Sequence, residues 1–152
     1  ILPKGGIIMS KLDDLMSEWE KDSQIDRTEP GKALIDIPKL HSKYLNILSR
    51  HKLLSKEAEF KYSRMKRIKW EYYTGKMGDD DLKKYGWEPF QFVLKSDIAT
   101  YMDSDEDLNR LIASKMLHDE IISCCEAILK ELHSRTFQLR SFIEWERFIQ
   151  GV

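Results

Sequence analysis

The chain has 152 residues, 34% of them charged, and its net charge is only −1. That length supports one hydrophobic core, and the balanced charge excludes a protein that holds a polyanion by overall basicity. No apolar run approaches the length that spans a bilayer, so any nucleic-acid partner must be held by a local patch on one small domain.

Residues 1–8 are interrupted by Pro3, Gly5 and Gly6 and are too short for a signal peptide. They read as an expression remnant, with Met9 as the natural start and 9–152 as a single domain. Leu12, Leu15, Met16 and Trp19 have helical spacing, which predicts a short amphipathic helix over Asp13 to Asp22. Asp22 to Gly31 reads as a link ending in the breaker Pro30-Gly31.

A long helix is expected from Pro38, placed in its first turn where a missing N–H does no harm, to Thr74. Its length would be about 55 Å by the helical rise. Gly75 suits the left-handed position beyond its end. The positions Leu40, Tyr44, Ile47, His51, Leu54, Ala58, Lys61, Met65, Ile68 and Tyr72 form a 4,3-spaced seam. A kink near His51-Lys52 is the alternative to an unbroken rod.

Function is written most densely at the end of that helix. Phe60 to Lys76 holds the cations Lys61, Arg64, Lys66, Arg67, Lys69 and Lys76, the rings of Phe60, Tyr62, Trp70, Tyr72 and Tyr73, and one acid, Glu71. Cations meet phosphates and release counterions, and unpaired bases stack on rings, so the pattern suits single-stranded nucleic acid. The rival reading is an ordinary basic helix facing a protein partner. At about 100° per residue, Lys66, Arg67, Trp70 and Tyr73 fall opposite the seam, flanked by Arg64 and Lys69. Trp70 is expected to bury against a second protein surface, because so narrow a seam leaves the helix needing a further contact. Among these residues Arg64, Lys66, Arg67, Lys69, Tyr73 and Lys76 are the candidate DNA contacts.

Lys76 to Glu88 reads as a charged loop, with Asp79-Asp80-Asp81 a solvated acidic turn before a short helix rather than a metal site. The alternation Phe90, Phe92, Leu94 suggests a short strand or extended segment. Ser104 with Asp107 has the spacing of a capping box and opens a helix running to Ile149. Its stripe comprises Leu108, Leu111, Ile112, Ile122, Cys125, Leu129, Leu132, Leu139 and Ile143, widened by Ile121 and Ile128. Phe137, Phe142, Trp145 and Phe148 load its end with aromatic surface, which points to self-association; packing on the chain's own core is the other possibility. The oligomerisation candidates are Phe137, Leu139, Phe142, Ile143, Trp145 and Phe148. The domain thus divides into 9–103, carrying the basic helix, and 104–152, the assembly helix.

No catalytic constellation emerges. His41, His51, His118 and His133 are not spaced as ligand couples, and there is no phosphate loop, nucleophile elbow or Cys-x-x-Cys. The adjacent Cys124 and Cys125 point about 100° apart on a helix, so neither bridge nor metal is expected, and a reducing compartment fits. A non-enzymatic binder without metal or cofactor is the expectation. A membrane-surface helix is disfavoured because Trp70 and Tyr73 lie among the cations.

The run Arg67-Ile68-Lys69-Trp70-Glu71-Tyr72-Tyr73-Thr74-Gly75 resembles the UvsY family of T4-type phage recombination mediators. Ile25-Asp26 after an acidic helix, Tyr44-Leu45-Asn46 before the basic stretch, and the aromatic C-terminal helix extend the likeness over nearly the whole chain from Leu12. The resemblance implies a mainly α protein that binds single-stranded DNA, assembles as a homo-oligomer through its C-terminal region, and helps a phage recombinase displace the single-strand-binding protein in the cytoplasm of an infected bacterium. It places the family's DNA-binding cation pair on Arg67 and Lys69, with the arginine first, and Met77 interrupts the family's Gly-basic-Gly run. Together the two readings give a long, helical hairpin-like subunit with one short extended segment, closing into a homo-oligomeric ring. The competing class is an oligomeric scaffold whose basic helix docks a protein.

Overall fold

The computed structural model describes the backbone of residues 4–91 and 94–152, and side chains from Ser10 onward within those ranges. Five α-helices appear among them: α1 (Lys4–Asp22), α2 (Pro30–Tyr73), α3 (Asp79–Tyr85), α4 (Ile98–Asp103) and α5 (Glu106–Gln150), with a 3-10 turn at Lys95–Asp97 before α4. The chain divides into two units, residues 1–53 with 117–152 and residues 54–116.

In the first unit, α1 packs with the first part of α2 and the later part of α5. Leu15, Tyr44, Leu48, Leu117, Ile121, Cys125, Ile128 and Leu132 form the core, with Leu12, Trp19, Leu40 and Ile47 against it. Of the predicted stripe on α5, Ile121, Cys125, Ile128 and Leu132 lie in this core with Ile122 and Leu129 against it, whereas Ile112 is exposed and Leu117 joins from outside the stripe. Polar groups close the end of α1. Arg135 donates to the carbonyls of Asp22 (3.2 Å) and Ser23 (3.0 Å), carbonyls that a helix end leaves without intrahelical partners. The buried Tyr44 hydroxyl donates to Asp22 at 2.8 Å, and Lys43 bridges Asp22 and Glu18. Cys125 is fully buried and both cysteines are free; burial pushes the Cys125 thiol up to about 11. His51 and His118, far apart in sequence, face each other with Nδ1 atoms 2.9 Å apart. Leu132 has no exposed surface, so Leu132→Ala should cost about 2–5 kcal/mol, read as a lower urea midpoint at an unchanged m-value.

Several expectations are corrected. The first helix extends back to Lys4 instead of starting at Asp13. The next begins at Pro30, not Pro38. Proline's fixed φ suits a first helical position, and Pro38 lies inside α2, where its missing N–H leaves one intrahelical bond unmade and its ring crowds the carbonyl of the preceding turn. Helical structure continues through His51 and Lys52 without a break. The acidic turn is itself the first turn of α3, where carboxylates favour the exposed N–H groups. No strand occurs among the described residues; Phe92 and Val93 of the suggested extended segment lie outside them. The cap of α5 is Asp105, whose Oδ1 accepts from the Leu108 N–H at 3.0 Å, whereas the Ser104 hydroxyl turns back to the Thr100 carbonyl.

The seam of α2 needs a subtler correction. Each predicted position except Lys61 is at least half-buried, yet the best-covered row runs Tyr44, Leu48, His51, Ser55, Ala58, Tyr62, Met65, Lys69, Tyr72. That row keeps the same 4,3 spacing and shares Tyr44, His51, Ala58, Met65 and Tyr72 with the predicted one. Between them it takes the next residue along, so near the end of α2 the inward place falls to Lys69 instead of Ile68.

Candidate nucleic-acid interface

The second unit contains the end of α2, with α3, α4 and the start of α5. The end of α2 is closed by Gly75, whose φ of +72° is the left-handed conformation open to glycine. Lys76 N–H then bonds the Glu71 carbonyl (2.9 Å) and Gly75 N–H the Tyr72 carbonyl (3.2 Å), a Schellman closure. The reversal brings the Lys76 ammonium 4.3 Å from the centre of the Trp70 ring, a cation–π contact. Trp70 stays 42% exposed, an aromatic surface with a cation on it.

Arg64, Lys66 and Arg67 are exposed. Among the described residues Arg67 pairs with Glu71 alone, at 3.4 Å, with 70% of its side chain in solvent. Lys66 lies over the Tyr62 ring, 5.9 Å from its centre. With Trp70 these cations occupy about 160° of the circumference of α2. Exposed pairs of this kind are worth little, so the cations are available to an incoming anion.

Lys69 and Tyr73 lie at the inner edge of this arc. The Lys69 side chain is 8% exposed, with Nζ 3.0 Å from Asp105 and 2.9 Å from Asp107. Burial alone would lower its pKa, but the hydrogen bonds to Asp107 and Asp105 outweigh that and raise it above the ordinary value. Asp105 is the mirror case. Burial would raise its pKa, but the Tyr73 hydroxyl, the Leu108 N–H and Lys69 lower it. The Tyr73 hydroxyl donates to Asp105 at 2.6 Å, which pushes the phenol further up after burial has done so. Around this cluster Tyr72, Tyr73, Trp87, Phe90 and Tyr101 pack ring against ring, and Lys69 lies 4.1 Å from the centre of Trp87.

The residues expected as DNA contacts therefore divide. Arg64, Lys66, Arg67 and Lys76 are exposed; Lys69 and Tyr73 are held inside the chain. Sequence reasoning missed Asp105, Asp107 and Trp87 as members of the group. The spacing showed only Ser104 and Asp107 as a capping box, because nothing local announces a partner so far along the chain.

The assembly candidates divide too. Phe137 is 75% exposed, Trp145 58% and Phe148 76%, and the last two rings stack 5.8 Å apart. Phe142 and Ile143 are half-buried, while Leu139 is covered by its own chain. Among the described residues no group of His, Cys, Asp and Glu is arranged to hold a metal, and no helix is long and apolar enough to cross a membrane.

A helical protein with a cation-and-aromatic face on one long helix has the features of a polyanion-binding protein. Residues 18–152 match the family described as recombination, repair and ssDNA binding protein UvsY, and the chain belongs to that family. It is 27% identical over 143 residues to the recombination protein UvsY of Enterobacteria phage T4, covering 93% of this chain and 98% of that protein. Crystal structures of the bacteriophage T4 recombination mediator protein UvsY superpose on it. One, at 26% identity, has a TM-score of 0.78 and covers 92% of this chain and 98% of the other. A second, at 25% identity, has a TM-score of 0.76 and covers 89% and 98%.

Proposed function

We propose that the protein is a single-stranded DNA-binding recombination mediator, which helps load a phage recombinase onto DNA covered by single-strand-binding protein. The carrying observation is the exposed face of Arg64, Lys66, Trp70, Arg67 and Lys76 in a chain of the UvsY family. The cations supply phosphate contacts, and Trp70 supplies a face on which a base of any identity stacks. A net charge of −1 makes one such face weak. Copies assembled through Phe137, Trp145 and Phe148 into a ring repeat the face, and each further contact becomes intramolecular. A strand held at several points is bent and presented, which favours its transfer to the recombinase over the competing protein. Catalysis has no part in this reading, and it places the protein in the cytoplasm of the infected cell.

Oligonucleotide binding followed across a salt series tests it. Single strands should bind more tightly than duplex of the same length, with little sequence preference. The logarithm of affinity should fall with the logarithm of salt by about 0.7 for each phosphate engaged. Equal affinity for duplex and single strand, or binding indifferent to salt, rules the reading out.

A further inference from the structure

Lys69 stands at a position where the motif of basic residues leads one to expect a DNA contact, and its surroundings argue otherwise. Its ammonium has three donors. Asp105 and Asp107 take up two of them, the Trp87 ring covers a further side, and 8% of the side chain reaches solvent. A phosphate approaching it would meet two carboxylates first. Asp105 is itself fully committed: Oδ2 receives Lys69 and the Tyr73 hydroxyl, while Oδ1 caps the first turn of α5.

We propose that Lys69 is a positioning residue and not a DNA contact. With Asp105, Asp107 and Tyr73 it forms a buried latch tying the last turns of α2 to the start of α5. The latch holds Arg64, Lys66, Arg67 and the Trp70–Lys76 pair in one register as the binding face. The inference rests on the single-stranded DNA reading and adds to it a second set of residues that governs affinity without touching the strand. The cations precede or follow Lys69 within two turns of the same helix, and the Lys76 turn starts directly after Tyr73. An untied helix end would fray there first, scattering charges that must act together.

Asp105→Asn gives the decisive sign. Asparagine caps a helix about as well as aspartate, so the start of α5 is retained. The substitution removes a negative charge close to the binding face, which by electrostatics alone would strengthen DNA binding. The latch predicts the reverse: single-stranded oligonucleotide affinity of the full chain should fall about tenfold, at a temperature where circular dichroism shows parental helicity. Lys69→Met should fall by a similar factor with the salt slope unchanged. The double variant should be no weaker than Lys69→Met, since both remove the same tie. Tyr73→Phe, which keeps the ring and every charge, should show a smaller loss in the same direction and decides the matter if Asp105→Asn does not fold.

Asp105→Asn and Tyr73→Phe proteins that bind as tightly as the parent or more tightly overturn the latch. So does a Lys69→Met protein whose salt slope drops by about 0.7, the mark of one phosphate no longer engaged. A parent chain without salt-dependent binding overturns the proposed function instead, so the two failures are told apart by the parent alone.

Discussion

Alanine at Arg64, Lys66 and Arg67 together should reduce affinity for single-stranded DNA by on the order of 10³-fold at low salt, taking about 1.5 kcal/mol for each charge-assisted hydrogen bond removed. The salt slope should flatten by about 2, three phosphates at 0.7 each. All three side chains project into solvent and none belongs to the core, so helicity and melting temperature should stay close to the parent's. Alanine also favours the helix. This choice of residues departs from the pair that the family resemblance implies, Arg67 with Lys69. Removing Lys69 would leave the buried Asp105 carboxylate without its cation, and the weaker binding would then mix stability with direct recognition. A triple variant that binds like the parent, measured by fluorescence anisotropy over the same salt range, moves the interface off this face.

Serine at Phe137, Trp145 and Phe148 together should convert the assembled protein into single chains. The three rings are mostly in solvent in the isolated chain, so their replacement leaves the subunit core untouched. Buried in an interface, each is worth roughly 1.5–3 kcal/mol, and their joint removal weakens association by about 10³–10⁶-fold per interface. Native mass and sedimentation at micromolar concentration read this directly. DNA affinity should fall by about 10²–10⁴-fold with them, because an array of weak faces becomes a single one. Cutting the chain after Arg135 would be a poorer experiment, since Leu139 is buried within the subunit and its removal exposes the chain's own apolar surface. A triple serine variant that keeps the parental mass places the interface elsewhere. One that becomes monomeric and still binds DNA at parental strength removes avidity from the mechanism.

Local pattern was enough to determine that there are two long helices, because their apolar spacing is periodic and Gly75 marks the end of the first, but it placed their starts at Pro38 and Ser104 instead of Pro30 and Asp105. It also indicated that cations at the end of α2 face solvent, which holds for Arg64, Lys66, Arg67 and Lys76 and fails for Lys69. Its errors arose where a local rule had two solutions. Proline fits a first turn at both Pro30 and Pro38, and the helix began at the earlier one and carries the later within it.

The tertiary structure alone decided which cation faces inward. The covered row of α2 shares every other position with the predicted seam and takes the next residue at the rest, a choice that depends on what packs against the helix. It turns Lys69 to Asp105 and Asp107, which are distant in sequence and adjacent only once α5 is laid alongside. The same dependence on packing brings His51 to His118 and buries Leu139 while leaving Phe137 bare. Periodicity states which side of a helix is apolar; what lies opposite each residue is a property of the second helix, and only the folded chain supplies it.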